Sequence, residues 1–361
     1  MAEHQPRAKP PLSGIARLLR LGAIGVVVAA AAGVFAWVNG TLDPRRLTPA
    51  RVVDTFEYNN GEHPGYRRNH PKGVCVSGYF QSNGAAAALS RAQVFNEGRT
   101  PVTGRFALPS GSPYSPDNAA PIRSLALRFM QADGQQWRTG MNSMPVFAIG
   151  TPEAFVDLLK AQAPDLATGK PDPAKVAAFF AAHPESGPFR EWVKTAKPSA
   201  SYVTETYSGL NAFYLVDAQG TRQAVRWSVV PQQHDGDPRP GQGDNYLEQD
   251  LQQRLAQSEQ RWDLVFTLAE PGDPTNDASK PWPAGRRTVN AGTLVLDSSQ
   301  PQLSGSCRDI NYDPLVLPSG IEGSDDPLLA ARSAAYSASF RRRAGEVEQL
   351  PKPAPVQEKK S

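Results

Sequence analysis

The sequence has few of the residues that form metal-thiolate sites and disulfide-rich scaffolds. Its 361 residues include two cysteines, Cys75 and Cys307, four methionines and five histidines. No zinc or iron–sulfur spacing is present. The two cysteines have the alternative of pairing in an oxidising compartment. Because Cys75 lies in a predicted strand, we expect a buried free thiol instead.

The chain also has little excess of positive over negative charge. The formal net charge is +3 at pH 7, and the folded region contains no long basic block. The run Arg341–Arg343 is too short to indicate a nucleic-acid interface, so we expect no nucleic-acid partner. Hydrophobic residues make up 40% of the chain, which is enough to bury a sizeable core.

Only one apolar run is long enough to cross a membrane. Residues 21–38 carry no charge and include Trp37, and 18 residues is near the lower limit for a spanning helix. The basic segment 1–20 precedes this run, which predicts a cytoplasmic N-terminus and a single-pass inner-membrane protein with its domain in the periplasm. A cleaved signal segment, with export to the periplasm, is the alternative. Residues 39–50 are predicted to be a linker.

Strand patterns dominate the remainder of the chain. Ser124–Met130 alternates apolar with small or charged residues and forms a predicted hairpin with Gln136–Arg138 through an Asp-Gly turn. Thr151–Ala163 has the N-cap, proline and apolar face of a helix. The fold class is therefore α+β, an antiparallel barrel with helices over residues 51–345. The Lys-, Glu- and Pro-rich residues 346–361 are predicted to be a disordered tail.

One histidine lies in an unusual local arrangement. In YRRNHPKGVCVSGYF (Tyr66–Phe80), His70 follows two arginines and precedes a Pro-Lys-Gly turn that leads into a strand rich in β-formers. By itself this pattern is also typical of a partly exposed loop histidine.

The stretch resembles the distal-histidine region of haem catalases. Two further segments follow in the family's order. RTGMNSMPVF (Arg138–Phe147) is similar to the segment that contains the distal asparagine. Tyr312–Arg343 is similar to the proximal region, which ends in Arg-x-x-x-Tyr and a basic residue seven positions later. With RSLALRF (Arg123–Phe129), the resemblance covers residues from about 50 to about 345.

The resemblance implies a catalase-like eight-stranded barrel with inserted and flanking helices, and haem b as cofactor. Tyr336 would bind the haem iron as a phenolate, with the charge of Arg332 one helical turn away. His70 would be the catalytic base, and Asn142 would bind the peroxide. Arg67, Arg105 and Arg343 would pair with the haem propionates. Phe147 and Phe155 would lie near the porphyrin.

The sequence departs from the family pattern in three respects. Ala107 stands where catalases have a serine, so we expect one hydrogen bond to the distal histidine to be absent and dismutation of hydrogen peroxide to be weak. The chain ends 25 residues after Tyr336, and an apolar run replaces the N-terminal arm. We therefore expect an accessible haem. The interlocked catalase tetramer has no basis in the sequence, and a homodimer is the alternative.

The predicted function is that of a minimal catalase-related peroxidase. It would reduce hydrogen peroxide and organic hydroperoxides with small-molecule electron donors and protect the cell envelope. The alternatives are a haem enzyme that rearranges hydroperoxides, a non-catalytic haem-binding protein and a haem-free scaffold. The presence of both His70 and Asn142 favours the peroxidase, because retention of haem requires neither side chain.

Overall fold

The computed structural model describes residues 13–38, 43, 46–233 and 243–349. Residues 1–48 and 49–361 form two separate compact units. The first contains helix α1. The helices of four residues or more are α1 (Gly14–Val38), α2 (Pro49–Asn60), α3 (Pro152–Ala161), α4 (Pro173–Ala182), α5 (Gly187–Thr195), α6 (Tyr246–Gln257) and α7 (Pro327–Gln349).

The second unit is built around a closed antiparallel barrel. Eight strands pair in the cyclic order β1, β2, β3, β4, β5, β7, β8, β9, and β6 and β10 extend the sheet from β7. The predicted eight-stranded barrel is confirmed. The strand bounds are β1 (Gly73–Ser82), β2 (Gly98–Ala107), β3 (Ser124–Met130), β4 (Gln136–Asn142), β5 (Tyr207–Ser208), β6 (Phe213–Val216), β7 (Arg222–Pro231), β8 (Gln260–Leu268), β9 (Thr288–Pro301) and β10 (Ile321–Gly323).

Aromatic side chains fill the barrel interior. Trp137 is fully buried and stacks on Phe129, with ring centroids 4.5 Å apart, while its edge meets Trp227 at 5.1 Å. The apolar alternation of β3 points Leu125 and Leu127 into the same cluster. The inward-facing side chains of the closed barrel therefore form its hydrophobic core.

The outer faces of β2, β3 and β4 are made of small and polar residues. Strand register places Ala107, Ser124 and Asn142 in one cross-strand row. Arg105, Ala126 and Gly140 form the next row, two residues along each strand. These rows define a platform on the outside of the barrel.

A disulfide joins Cys75 to Cys307, so the expected free thiol is wrong. The alternation of β1 turns Val74 and Val76 into the barrel and Cys75 outward. There the loop that follows β9 returns over the strand, and the Cys307 amide donates to Cys75 Sγ at 3.2 Å. The sulfur is buried by this loop rather than by the barrel core.

Helix α2 packs against α7 through an ion-pair cluster. Arg68 Nε and Arg342 Nη1 each lie 2.6 Å from a carboxylate oxygen of Glu57. Arg68 also pairs with Glu346. Because α7 continues to Gln349, residues 346–349 of the predicted tail are helical. Residues 350–361 lie outside the described part of the chain.

Helix α1 has the length and composition of a membrane-spanning helix, a test that signal sequences also pass. It begins at Gly14, seven residues before the predicted apolar run. The predictions for residues 1–12, and for 39–42, 44 and 45 of the linker, fall outside the described residues.

Candidate active site

A large cavity lies on the outer face of β2, β3 and β4, bounded also by α2, α3 and α7. It encloses about 1450 Å³, open solvent included. The structure brings all nine site residues predicted from the sequence to its walls, and these residues are Arg67, His70, Arg105, Asn142, Phe147, Phe155, Arg332, Tyr336 and Arg343.

His70 lies at the entrance to β1 in a left-handed backbone conformation, with φ of 55°. Few residues other than glycine adopt it, although His and Asn do so more readily than most. Its main-chain N–H donates to the side chain of Asn69 at 3.0 Å, which supports the turn. A strained backbone of this kind is typical of functional positions.

The His70 ring is electrostatically held in its neutral form. Burial, followed by the charges of Arg105 and Arg332, lowers its pKa to about 3, and the main-chain carbonyl of Leu108 opposes this shift. The ring therefore carries a free lone pair at neutral pH, as a base requires.

A short chain of hydrogen bonds connects His70 with Asn142. Ser124 Oγ lies 3.1 Å from His70 Nδ1 and donates to Asn142 Oδ1 at 2.6 Å. The arrangement follows from the strand register, because Ser124 and Asn142 are direct cross-strand partners.

Three arginines, of which Arg105 and Arg343 are buried and Arg67 is half-buried, lie close together at another part of the wall. Arg67 Nη2 donates to the Ile310 carbonyl at 2.9 Å, Arg343 donates to a carbonyl of the same loop, and Arg105 donates to the His70 carbonyl at 2.9 Å. Burial lowers the pKa of Arg67 to about 9 and the pKa values of Arg105 and Arg343 to about 10, and mutual repulsion adds to each shift. All three remain charged at neutral pH.

Arg332 and Tyr336 face the cavity from one side of α7. Arg332 Nη2 donates to the Gly140 carbonyl at 3.0 Å, and its other terminal nitrogen binds Asn211, whose amide donates to Asp326 at 2.7 Å. A Cβ atom at Gly140 would lie 3.2 Å from Arg332 Nη2 and 3.5 Å from Tyr336 Oη. Glycine at this platform position therefore makes room for the pair.

Sequence comparison decides the family. A family model described as Catalase matches residues 39–361. The chain belongs to the catalase family. It is 38% identical over 303 residues to a catalase-related peroxidase of Synechococcus elongatus, with 82% of this chain and 89% of the relative covered. Its identity to a catalase-related peroxidase of Mycolicibacterium paratuberculosis is 32% over 305 residues, with 83% and 96% covered.

Longer catalases are similar at lower identity. A catalase of Pseudomonas aeruginosa is 28% identical over 292 residues, and the aligned part covers 76% of this chain and 56% of that protein. Among solved structures, a bacterial catalase superposes with a TM-score of 0.70 at 22% identity, covering 88% of this chain and 65% of the other. Catalase A from Saccharomyces cerevisiae gives 0.71 at 20%, with 83% and 65% covered. These structures share the barrel fold.

Membership of the catalase family implies haem binding, and the cavity fits such a group. Among the described residues its lining contains five arginines and no carboxylate, and Arg105 Nε is buried without a partner. A dianionic ligand would satisfy these charges. The platform residues Ala107, Ala126 and Gly140 are small enough for a planar ring system, and Tyr336 offers an oxygen ligand for iron.

The structure corrects the expectation that one hydrogen bond to His70 is absent because of Ala107. Ala107 has no hydroxyl, but its cross-strand neighbour Ser124 supplies one to His70. Sequence reasoning also missed Asn211 beside Arg332, and Gln302, which accepts from Arg105 at 2.5 Å. The pairing of Ser124 with Ala107 depends on a strand register that the sequence alone does not fix, and Asn211 and Gln302 lie in loops distant in sequence from their partners.

Proposed function

We propose that the protein is a haem b peroxidase that reduces hydrogen peroxide and organic hydroperoxides with electrons from small-molecule donors. The observation that carries this proposal is the hydrogen-bonded arrangement of His70, Ser124 and Asn142 in the cavity that also holds Arg332 and Tyr336. The two relatives named as catalase-related peroxidases support it. When bound, haem supplies the redox chemistry.

Side chains of the cavity would carry out the proton transfer. The neutral ring of His70 accepts a proton from one oxygen of the hydroperoxide and returns it to the other, which leaves as water or an alcohol. The Asn142 amide orients the peroxide by hydrogen bonding. Two electrons and two protons from the donor complete the reduction of each O–O bond.

Helix α7 would supply the residue that binds the iron. Tyr336 would supply the oxygen ligand for the iron, and Arg332, fixed by the Gly140 carbonyl and by Asn211, would place its positive charge beside that oxygen. Arg67, Arg105 and Arg343 would bind the two propionates, while Phe147 and Phe155 would pack against the porphyrin.

Replacement of the distal histidine tests this function. In the haem-loaded full-length chain, we expect His70→Ala to lower the rate of reaction with hydrogen peroxide by about 10²- to 10⁴-fold, the usual contribution of a general base. His183→Ala is the matched control, because His183 stacks on Phe179 and pairs with Glu185, apart from the cavity lining. A His70→Ala variant that binds haem and reacts at the wild-type rate would contradict the assignment.

Weak dismutation of hydrogen peroxide remains part of the proposal because the relatives at 38% and 32% identity are named catalase-related peroxidases, although Ser124 supplies the hydroxyl that Ala107 lacks. The chain is expected to consume peroxide mainly when a donor such as a phenol is present, and to evolve little oxygen without one. An oxygen electrode measures the oxygen evolved with and without the donor. Rapid oxygen evolution in the absence of donor would remove this part of the proposal.

We further propose that α1 anchors the enzyme in the inner membrane with the haem domain in the periplasm, where it removes peroxides from the cell envelope. Arg17 and Arg20 lie at the N-terminal end of α1, which favours a cytoplasmic N-terminus. The Cys75–Cys307 disulfide suits an oxidising compartment. Protease accessibility of the domain in intact spheroplasts tests the orientation, and full protection would contradict it.

A further inference from the structure

The hydroxyl of Ser124 has one hydrogen and two neighbours in the cavity wall. It donates that hydrogen to Asn142 Oδ1 at 2.6 Å. His70 Nδ1 lies 3.1 Å from the same oxygen, so the ring must be the donor in the second bond. The proton of the neutral ring is then on Nδ1, and the lone pair is on Nε2.

We infer that Ser124 is a positioning residue that fixes the tautomer and orientation of His70 and couples it to Asn142. Its hydroxyl takes the place of the one that is missing at Ala107. This inference rests on the proposed peroxidase function. Ser124 itself need not touch the peroxide, since its oxygen is already used by the two catalytic side chains. A single hydroxyl thus sets the direction of both the base and the amide.

The strand register explains how a hydroxyl on β3 can take the place of one on β2. Ala107 on β2 and Ser124 on β3 are direct cross-strand partners on the same outer face, and such pairs have Cβ atoms about 5 Å apart. A hydroxyl on either strand therefore projects toward the same part of the cavity. The side chain of Ser124 is 8% exposed, so little competing solvent reaches the bond.

The burial of His70 makes this bond important. Among the described residues, no carboxylate lines the cavity to orient the ring, and the neighbouring charges of Arg105 and Arg332 disfavour a protonated imidazole. Without Ser124 the ring keeps the main-chain carbonyl of Leu108 as a partner but loses the hydroxyl at Nδ1, so its tautomer and orientation are less firmly fixed. Asn142 would lose the hydrogen bond from the Ser124 hydroxyl to its Oδ1 at the same time.

Kinetic comparison of four full-length proteins loaded with haem tests the inference. We expect Ser124→Ala to lower the second-order rate constant for hydrogen peroxide about tenfold, the effect of one well-placed hydrogen bond. The double variant Ala107→Ser/Ser124→Ala is expected to recover most of this loss, because it returns a hydroxyl from the facing strand. Ser143→Ala is the matched control, since Ser143 accepts from the Arg123 amide and does not line the cavity.

A second readout is independent of turnover. The chains are loaded with zinc protoporphyrin, a diamagnetic analogue of haem, and ¹⁵N NMR of labelled histidine rings reports the tautomer, with His70→Gln used for assignment. The inference predicts Nδ1–H in the wild type and a larger Nε2–H population in Ser124→Ala.

The outcomes separate the inference from the proposed function. A wild-type ring protonated on Nε2, an unchanged rate in Ser124→Ala, or a loss that the double variant does not recover would each overturn the role of Ser124. Absence of any peroxide reaction in the wild type would instead contradict the proposed function, while the NMR result would still decide the position of the ring proton.

Discussion

The inside and the outside of the barrel wall are built from the same strands but by different rules. On the inner face of β3 and β4, Phe129 and Trp137 are buried and pack ring against ring. On the outer face of the same strands, Ala126 and Gly140 leave space that five arginines surround without a carboxylate among the described lining residues. The inner face stabilises the fold by itself, whereas the outer face is complete only with an anionic, planar partner.

The largest expected effect comes from breaking the inner face. Replacement of Trp137 by Ala removes a fully buried indole and should lower the free energy of unfolding by about 3–5 kcal/mol. Urea unfolding in detergent micelles, followed by tryptophan fluorescence, measures this value. A change below about 1 kcal/mol would contradict the view that the inner face carries the stability.

The disulfide should matter next, because it attaches the loop after β9 to the outer face. That loop supplies the carbonyls that hold Arg67 and Arg343. We expect Cys75→Ala/Cys307→Ala to lower the free energy of unfolding by about 2–4 kcal/mol and to weaken haem retention. Wild-type protein treated with reductant should behave like the double variant. Unchanged unfolding and haem retention in both samples would show that the loop is held by other contacts.

Burial of a neutral histidine on the outer face should appear as a dependence on pH. The pKa of His70 is lowered to about 3 in the folded chain, against about 6.5 when unfolded. The unfolded chain therefore binds a proton first as the pH falls, and stability decreases by about 1.4 kcal/mol per pH unit below pH 6.5. Comparison of wild type with His70→Gln, before haem is added, isolates this contribution. Parallel curves for the two proteins between pH 7 and pH 5 would contradict it.

The smallest change, one methyl group on the platform, should affect the ligand and not the fold. A Cβ at Gly140 would crowd the guanidinium of Arg332 and contact Tyr336 Oη, so we expect Gly140→Ala to weaken haem binding about tenfold, equivalent to about 1.4 kcal/mol. The control is Gly187→Ala, where the added Cβ meets no atom within 4 Å. Equal haem affinity of the two variants would show that the platform tolerates a side chain.

The sequence allowed prediction of those site residues that lie in continuous stretches. The segments around His70 and around Arg332 and Tyr336 are continuous in sequence, so their resemblance to haem catalases could be recognised, whereas local spacing alone left a loop histidine and a surface Arg/Tyr pair as alternatives. The N-cap of α3 was predicted from its local sequence, and Thr151 Oγ1 does accept from the Ala154 amide. The barrel followed from the repeated two-residue alternation of apolar residues.

Contacts that depend on strand register or on loops could not be derived in this way. Cys75 and Cys307 are separated by 232 positions, and the face on which Cys75 projects is known only once the inward residues of β1 are fixed. The hydroxyl of Ser124 replaces the one missing at Ala107 only because the two strands pair in a particular register. The extension of α7 to residue 349 depends on the ion pair of Glu346 with Arg68, a partner remote in sequence.

The absorption spectrum of the full-length chain, purified in detergent and supplied with haem, tests the central claim most directly. The account predicts a ferric haem with tyrosinate coordination in the wild type and loss of that spectrum in Tyr336→Phe, with circular dichroism unchanged. A wild-type chain that takes up no haem, or a Tyr336→Phe variant with the wild-type spectrum, would contradict it.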